Sequence, residues 1–278
     1  AALKEAIRGE ERDLGIFICG GKGKTSLKTP DEIVSWGSRV CLPQKSVENI
    51  VYNSRMSAKV DSSLIQDGYS LYHHSFFFSK NGAWAVVQQG MNKEHQTARR
   101  YHWFSENITD LVCEPHSGIA SQGICKRLLN MTAKESGLAQ KLSVELLSGS
   151  FRSIMKDLEL LDRHGIVETD SSHLHAMLRV RRNSDQLTLL QLEEAPFTTH
   201  PVVSENFSSS RYLRKILDLL CEKKPQSYEQ LLSERGVGPK TIRALALVSE
   251  VIYGAKPSYR DPARYSFAHG GKDSIPYP

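Results

Sequence analysis

The feature that most restricts the fold is a pair of strand-like segments in the N-terminal third of the chain. In YSLYHHSFFFSKNGAWAVVQQGMN, two runs rich in aromatic and β-branched residues flank the pair Asn81-Gly82. Such runs favour strands, and an Asn-Gly pair between them is the strongest short-range signal for a β-hairpin. The first run has large side chains at alternate and intervening positions, which indicates a sheet covered on both faces. We therefore predict a hairpin over residues 69–91.

Around this hairpin the sequence predicts an α+β protein. A mixed α/β domain, expected to hold any catalytic site, covers residues 1–115, and a mainly helical region covers residues 116–193. Apolar residues at three- and four-residue spacings in segments such as SFRSIMKDLELLDRHG indicate the helices of that region. Residues 194–210 contain two prolines and many hydroxyl groups, which are typical of a linker, and a C-terminal domain with a tail follows at residues 211–278.

Composition restricts the compartment and the class of partner. The five cysteines are far apart and form no C-x-x-C pair, which argues against a disulfide framework or a thiolate zinc site and favours a cytoplasmic protein. No apolar run approaches the roughly 20 residues that cross a bilayer, and the first residues do not resemble a signal peptide. The net charge of +5 favours anionic partners.

A glycine-bearing turn lies between two helical segments near the C-terminus. The segment SYEQLL precedes GVGPKT, and a helix is expected to begin at Pro239. Glycines allow the backbone to approach a phosphate, and free N–H groups at the helix start attract its charge without reading base sequence. The predicted DNA-binding residues of this turn are Gly236, Val237, Gly238, Lys240, Thr241 and Arg243. The alternative is a tight turn between helices, with Val237 as a core residue.

This turn and its flanking helices resemble the helix-hairpin-helix element of DNA repair and recombination proteins over residues 227–254. A second resemblance spans nearly the whole chain. The segments GGKGKTS, YHHSFFF, WAVVQQGMN, ARRYHW and the stretch from GVGPKT onward are similar to a prokaryotic, mainly archaeal, family catalogued as a domain of unknown function. That resemblance implies an intact family architecture, with further residues expected at both ends, and it implies no established chemistry.

Candidate catalytic residues lie on and around the predicted hairpin. The predicted catalytic residues are Asp67, His73, His74 and Gln89, and the predicted ligands of a divalent metal, Mg²⁺ or Mn²⁺, are Asp61, Asp67 and His74. Imidazole and carboxylate groups can hold such an ion, which activates water for phosphodiester cleavage. Alternation along the strand places His73 and His74 on opposite faces, so only one of them can share a face with a given partner. The D…[DE]-x-K pattern of hairpin-based nucleases is not met, because the second strand has glutamines where acids would be expected.

Two basic segments are predicted to contact nucleic acid. Lys22 and Lys24 lie in GGKGKTS, and Arg99 and Arg100 lie in ARRYHW. The first segment fails the phosphate-loop signature of nucleoside triphosphatases, because the first glycine of that signature would fall on Ile18. Its glycines can still present amides to phosphates, with a mobile surface loop as the alternative. In the second segment, guanidinium groups beside aromatic rings suit phosphates and bases, with a partly solvated strand as the alternative.

Three hypotheses remain open. The first is an enzyme of DNA repair or processing, a metal-dependent nuclease held on DNA by the C-terminal domain. The second is a glycosylase or lyase: Asp261 lies 21 positions after Lys240, and similarity to helix-hairpin-helix glycosylases implies Lys240 as the amine nucleophile and Asp261 as its activator. The context RDPARYSF departs from the pattern of those glycosylases after the aspartate. The third is a non-catalytic DNA-binding scaffold.

Overall fold

The computed structural model describes residues 2–121, 123–125, 128–164, 177–181, 187–191 and 205–263. The chain divides into two compact units. Unit 1 comprises residues 1–133 and 259–278, and unit 2 comprises residues 134–258.

These units differ from the domains predicted from the sequence. The predicted boundary at residue 115 would divide unit 1, because Gly118–Ser121 forms an edge strand of its sheet. The segment after residue 258 belongs to unit 1 and not to the C-terminal domain, since the Leu128 amide donates to the Tyr259 carbonyl over 3.2 Å. The predicted linker lies outside the described residues up to residue 204.

Unit 1 is built on an antiparallel sheet. The strands are β1 (Ile16–Lys22), β2 (Ile65–Gln66), β3 (Ser70–Ser79), β4 (Trp84–Asn92), β5 (Thr97–Phe104), β6 (Gly118–Ser121) and β7 (Leu129–Asn130). Five of them pair in the order β1-β3-β4-β5-β6, and β2 pairs separately with β7. The predicted hairpin is formed by β3 and β4, with Gly82 of the turn at a φ of +89°. The prediction of an α+β fold is confirmed.

Helices cover one face of this sheet. They are α1 (Ala2–Ala6), α2 (Glu11–Leu14), α3 (Thr29–Arg39) and α4 (Gln44–Ser63), with a 3₁₀ segment at Gly23–Lys28. Both α3 and α4 lie between β1 and β3 in the chain and pack against the sheet. On the covered face, Phe76, Val86 and Trp103 are neighbours across three strands and are all buried. These side chains form the centre of the core.

The two faces of the hairpin differ in burial. His74 and Gln88 are buried on the face covered by the helices. His73 and Gln89 lie on the opposite face, where they are half-buried, and so is Phe77. The alternation of side chains along a strand produces this division, as predicted for the two histidines.

Unit 2 is mainly helical in its described part. Its helices are α5 (Gly137–Ser148), α6 (Phe151–His164), α7 (Arg211–Lys223), α8 (Tyr228–Ser233) and α9 (Pro239–Leu247), and α9 continues as a π-helix at Val248–Ile252. Two strands, β8 (Met177–Arg181) and β9 (Leu187–Gln191), pair in antiparallel fashion. The core of unit 2 includes Leu213, Leu217 and Leu220 from one stripe of α7.

Two further observations concern the whole chain. Its five cysteines are all free thiols, in agreement with their spacing in the sequence. Within the described ranges, no helix combines the length and the apolar character that crossing a membrane requires.

Candidate functional site

Polar side chains inside unit 1 form a hydrogen-bonded layer between α4 and the sheet. Helix α4 contributes Ser54, Ser57 and Asp61, whose spacing of three and four residues places them on one helix face. The hairpin contributes His74 and Gln88, which are direct cross-strand partners. Each of these five residues is at most 7% exposed. We call them the serine–histidine chain.

The amide of Gln88 determines which groups donate and which accept in the hydrogen bonds of the serine–histidine chain. Its Nε2 group donates to the Ser57 carbonyl over 3.1 Å and also to the carboxylate of Asp61. Because both of these partners are acceptors, the amide oxygen is the atom that faces Nδ1 of His74, 2.9 Å away. Nδ1 therefore carries the ring hydrogen, and Nε2 is an acceptor. The hydroxyl of Ser54, 2.9 Å from Nε2, donates its hydrogen to that nitrogen.

This arrangement pairs a hydroxyl group with a neutral base. Burial lowers the pKa of His74, although the hydrogen bond to the Gln88 oxygen and the charge of Asp61 act in the opposite direction. The imidazole is therefore uncharged at neutral pH, with its lone pair directed at Ser54. A hydroxyl bonded to a base that a third group orients is the arrangement that activates serine nucleophiles.

Asp61 ends the serine–histidine chain on the side away from Ser54. Besides Gln88, its Oδ2 atom accepts from Nε1 of Trp103 over 3.1 Å. Its Oδ1 atom lies 2.5 Å from Nε2 of His116. Three partners thus satisfy a fully buried carboxylate, as burial of such a group requires.

A pocket of about 330 Å³ lies beside Ser54 and His74. Its wall is formed by the 3₁₀ segment, the start of α3, the middle of α4 and the first half of β3. Among the described residues that line it, Arg55 is the permanently charged group and no carboxylate is present. The volume is at the lower end of the range found for small-molecule sites, about 300–1,000 Å³.

A second buried polar group centres on Arg99 of β5. Its Nη1 atom donates to Oδ2 of Asp67 over 2.9 Å, and its Nη2 atom donates to Oδ2 of Asp261 over 2.7 Å. The Tyr101 hydroxyl donates to Asp67 over 2.6 Å, and the Cys125 amide donates to Asp261 over 2.6 Å. Burial raises the pKa of Asp67, although the charge of Arg99 acts in the opposite direction. This arginine cluster ties the segment after residue 258 to the sheet of unit 1.

In unit 2, the predicted glycine-bearing turn joins α8 to α9. Gly236 has a φ of +91°, and a Cβ atom added there would lie 2.4 Å from Cδ1 of Ile216. Its carbonyl accepts a hydrogen bond from the Tyr212 hydroxyl over 2.7 Å, and Val237 is buried. A Cβ atom added to Gly238 would instead meet nothing within 4 Å. The first glycine is therefore required by packing, whereas the second leaves the backbone open.

The start of α9 presents backbone amides without an internal partner. The Gly238 carbonyl accepts from the Ile242 amide over 3.1 Å, which closes the first turn. The amides of Gly238, Lys240 and Thr241 donate to no group of the described chain, as expected for the first turn of a helix. Pro239 is exposed and both Gly238 and Lys240 are partly exposed, so the amides of Gly238 and Lys240 lie at the protein surface, whereas Thr241 is buried.

The side chains predicted to assist these amides differ in availability. Thr241 is 1% exposed, so its hydroxyl is not at the surface. Nη1 of Arg243 lies 2.7 Å from Oε1 of Glu205, which offsets its charge. Lys240 is partly exposed, with its Nζ atom 5.9 Å from the centre of the Phe207 ring. Lys240 is therefore the basic group that accompanies the amides.

A family model described as a protein of unknown function, DUF763, matches residues 1–278. The chain belongs to the DUF763 family. No curated protein and no solved structure matches the chain significantly. Membership in DUF763 confirms the resemblance to a family of unknown function over nearly the whole chain. The mainly archaeal distribution and the helix-hairpin-helix assignment stay predictions.

In this DUF763 chain, the predicted catalytic residues differ in the groups that they contact. His74 belongs to the serine–histidine chain, and Asp67 belongs to the arginine cluster. His73 and Gln89 are cross-strand partners on the opposite face of the hairpin. His73 and His74 both line the pocket, whereas Asp67 and Gln89 are not among its lining residues, so the structure brings two of the four residues to one site.

The predicted metal ligands do not surround one position. Gln88 lies between Asp61 and His74, and Asp67 is bound by Arg99. Over the part of the chain that the structure describes, no group of three or more His, Cys, Asp or Glu side chains could hold a metal ion.

The predicted basic contacts are also only partly at the surface. Arg99 is 0% exposed and bound by two carboxylates, so it is a core residue and not a nucleic-acid contact. Arg100 is half-buried on the opposite face of the sheet, whereas Lys22, at the end of β1, and Lys24, in the 3₁₀ segment, are exposed. Asp261, bound by Arg99 and buried, does not have the free carboxylate that activation of Lys240 would need.

Sequence reasoning missed Ser54 and His116, and it listed Gln89 as catalytic where the structure places Gln88 beside His74. The choice of Gln88 could have been made from the sequence, because a turn at Asn81-Gly82 sets a register that pairs it with His74. The spacing of Ser54 and Asp61 on one face of α4 was a second signal. His116 lies in the loop before β6, and nothing in the sequence marks it as a partner of Asp61.

Proposed function

We propose that the protein binds the sugar-phosphate backbone of DNA through residues 236–241, which we call the amide turn. The observation that carries this proposal is the pair of surface amides at Gly238 and Lys240, which lie beside the charge of Lys240.

The amide turn has the physical properties of a phosphate site. Amides at the start of a helix carry a partial positive charge and point toward an approaching anion. Because Gly238 has no side chain and open space above it, a phosphate oxygen can come within hydrogen-bonding distance. The packing of Gly236 against Ile216 and the burial of Val237 hold the turn in place before a ligand binds. Little ordering is then required on binding.

The ligand class follows from what the turn offers. Amides and one lysine recognise phosphates, which are the same in every sequence, so the expected ligand is DNA of any base sequence. Similarity of the turn to the helix-hairpin-helix of DNA repair proteins favours DNA over other polyanions.

The proposal concerns binding. A role in DNA repair or processing stays a prediction from the sequence, and so do the nuclease with Mg²⁺ or Mn²⁺ and the glycosylase that uses Lys240 and Asp261. Within the described residues no side-chain group is arranged for a metal, and Asp261 is bound by Arg99. The third hypothesis, a non-catalytic scaffold, requires only that the protein binds DNA.

The substitution Gly238→Asp separates binding from folding. Gly238 is the N-cap of α9 in an extended conformation, and aspartate is among the best N-cap residues, so the variant should melt at the same temperature or higher. The added carboxylate would occupy the amides and repel a phosphate. Fluorescence anisotropy with a labelled duplex of random sequence should show at least a tenfold loss of affinity. A folded variant that binds as tightly as the wild type would refute the proposal.

The substitution Lys240→Gln tests the charge. Removing one phosphate contact should weaken binding to all sequences alike and reduce the slope of log affinity against log salt by about 0.9. Lys215→Gln, at an exposed lysine of α7 outside the amide turn, is the matched control and should leave the slope unchanged. If the two variants have equal slopes of log affinity against log salt, Lys240 does not contact the DNA phosphates.

A further inference from the structure

We infer that the pocket of unit 1 is a catalytic site in which Ser54 is the nucleophile and His74 its general base, acting on a small carboxylic ester that carries a negative charge. This inference is independent of DNA binding, because all its residues belong to unit 1.

The first support is the direction of the hydrogen bond between Ser54 and His74. Serine hydroxyls inside helices commonly donate to a carbonyl one turn earlier, as Ser57 does to the Ser54 carbonyl and Ser143 does to the Ala139 carbonyl. The hydroxyl of Ser54 donates instead to Nε2 of His74. The proton that a nucleophile must lose is thus already directed to the atom that would take it.

The second support is the way in which the ring of His74 is held. Nδ1–H donates to Gln88, and the amide of Gln88 donates in turn to Asp61. When His74 takes the proton of Ser54, the positive ring faces an amide oxygen whose dipole is strengthened by the Asp61 carboxylate at its other end. Gln88 and Asp61 are positioning residues in this arrangement, because they act on the hydroxyl through His74.

The third support is the location of the hydroxyl in the pocket wall. Ser54 and His74 both line the pocket, so a ligand inside it can meet the nucleophile. A volume of about 330 Å³ accommodates a small molecule and excludes a DNA duplex.

The charge of the pocket wall indicates the substrate class. Arg55 lines the pocket, and Lys24 and Lys28 are exposed on the 3₁₀ segment that forms another part of the wall. Because no carboxylate is present among the described lining residues, an anionic substrate is favoured over a cationic one.

The reaction proceeds in two balanced steps. Oγ of Ser54 attacks the ester carbonyl carbon while its proton moves to Nε2 of His74. The carbon–oxygen bond to the alcohol then breaks, and His74 returns the proton to the leaving alcohol, which leaves an acyl group on Ser54. Water attacks this acyl group with His74 again as base, which releases the carboxylic acid and restores the Ser54 hydroxyl.

The test uses a fluorophosphonate on the whole chain, because this reagent replaces its P–F bond with a bond to an activated serine and releases fluoride. Peptide mass spectrometry of the wild type should find the phosphonyl group on Ser54. A folded wild type that carries no label, or a label elsewhere than Ser54, would overturn the inference.

Hydrolysis of the 4-nitrophenyl half-ester of adipate, whose free carboxylate does not readily close a ring onto the ester, measures the reaction itself after the enzyme-free rate is subtracted. The variant Ser54→Ala should lose both labelling and hydrolysis, and His74→Gln should reduce both at least about 100-fold. Ser46→Ala, in the same helix but outside the pocket, is the control and should retain both. Circular dichroism confirms that each variant is folded. Hydrolysis that stays above the enzyme-free rate in a folded Ser54→Ala variant would contradict the assigned nucleophile.

Discussion

Replacing Gln88 with glutamate keeps the size of the side chain and turns its donating group into an acceptor. The amide of Gln88 donates to the Ser57 carbonyl and to the Asp61 carboxylate. A hydrogen bond between neutral groups contributes about 0.5–1.5 kcal/mol, and one to a charged group about 1.5–3 kcal/mol. We therefore expect Gln88→Glu to lower the free energy of unfolding at pH 8 by about 2–4.5 kcal/mol. Repulsion between the introduced carboxylate and Asp61 adds to this loss.

The loss should be smaller in mild acid. Burial and the neighbouring Asp61 carboxylate raise the pKa of the introduced carboxyl group, which is about 4.3 in an unfolded chain. Between these two pKa values the folded variant holds a proton that the unfolded variant has lost. The stability of Gln88→Glu relative to the wild type must therefore fall as the pH rises through that window.

Urea unfolding at pH 8 and pH 5.5 measures both effects, with tryptophan fluorescence as the signal. Trp103 contacts Asp61 in the same buried layer and reports on its integrity. Gln89→Glu makes the same chemical change on the half-buried face of the hairpin and should stay within about 0.5 kcal/mol of the wild type. The contrary results are that Gln88→Glu lowers the free energy of unfolding at pH 8 by less than about 1 kcal/mol, or by the same amount at both pH values. Either result would refute the donors and acceptors assigned to the hydrogen bonds of the serine–histidine chain.

Two further predictions concern other buried groups. Asp261→Asn removes one carboxylate from the ion pair with Arg99, so urea unfolding should show a loss of about 3 kcal/mol, whereas an unchanged free energy of unfolding would show that this pair is not structural. Cys41 is exposed and should react with iodoacetamide at pH 8, while Cys19 and Cys221 should stay unmodified until the protein unfolds, because burial raises the pKa of Cys19 to about 12 and that of Cys221 to about 11. Early modification of Cys19, detected by peptide mass spectrometry, would contradict its burial.

Local signals in the sequence were sufficient for the hairpin and its two faces. The Asn-Gly turn and the alternation of side chains correctly placed His73 and His74 on opposite faces. Alternation also held information about Arg99, because Arg99, Tyr101 and Trp103 share one side of β5 and the two aromatic residues favour the interior. The basic pair in ARRYHW pointed instead to a surface, and that reading was wrong for Arg99.

Long-range partners could not be predicted from the sequence. Arg99 meets Asp261, which is 162 positions away, and no spacing rule connects two such residues. The same limit applies to the amide turn: the sequence indicated two glycines but not their different roles. Those roles depend on Ile216 of α7, which packs against Gly236 and leaves Gly238 open.

Unit 2 is an insertion in unit 1, because the chain leaves unit 1 after residue 133 and returns to it at residue 259. On the ribosome, all of unit 2 is therefore synthesised before the segment that carries Asp261. Until that segment emerges, the guanidinium of Arg99 has Asp67 as its one carboxylate among the described partners. A chain terminated at residue 258 would contain every strand of the sheet but would lack Asp261, one of the two carboxylates that pair with buried Arg99.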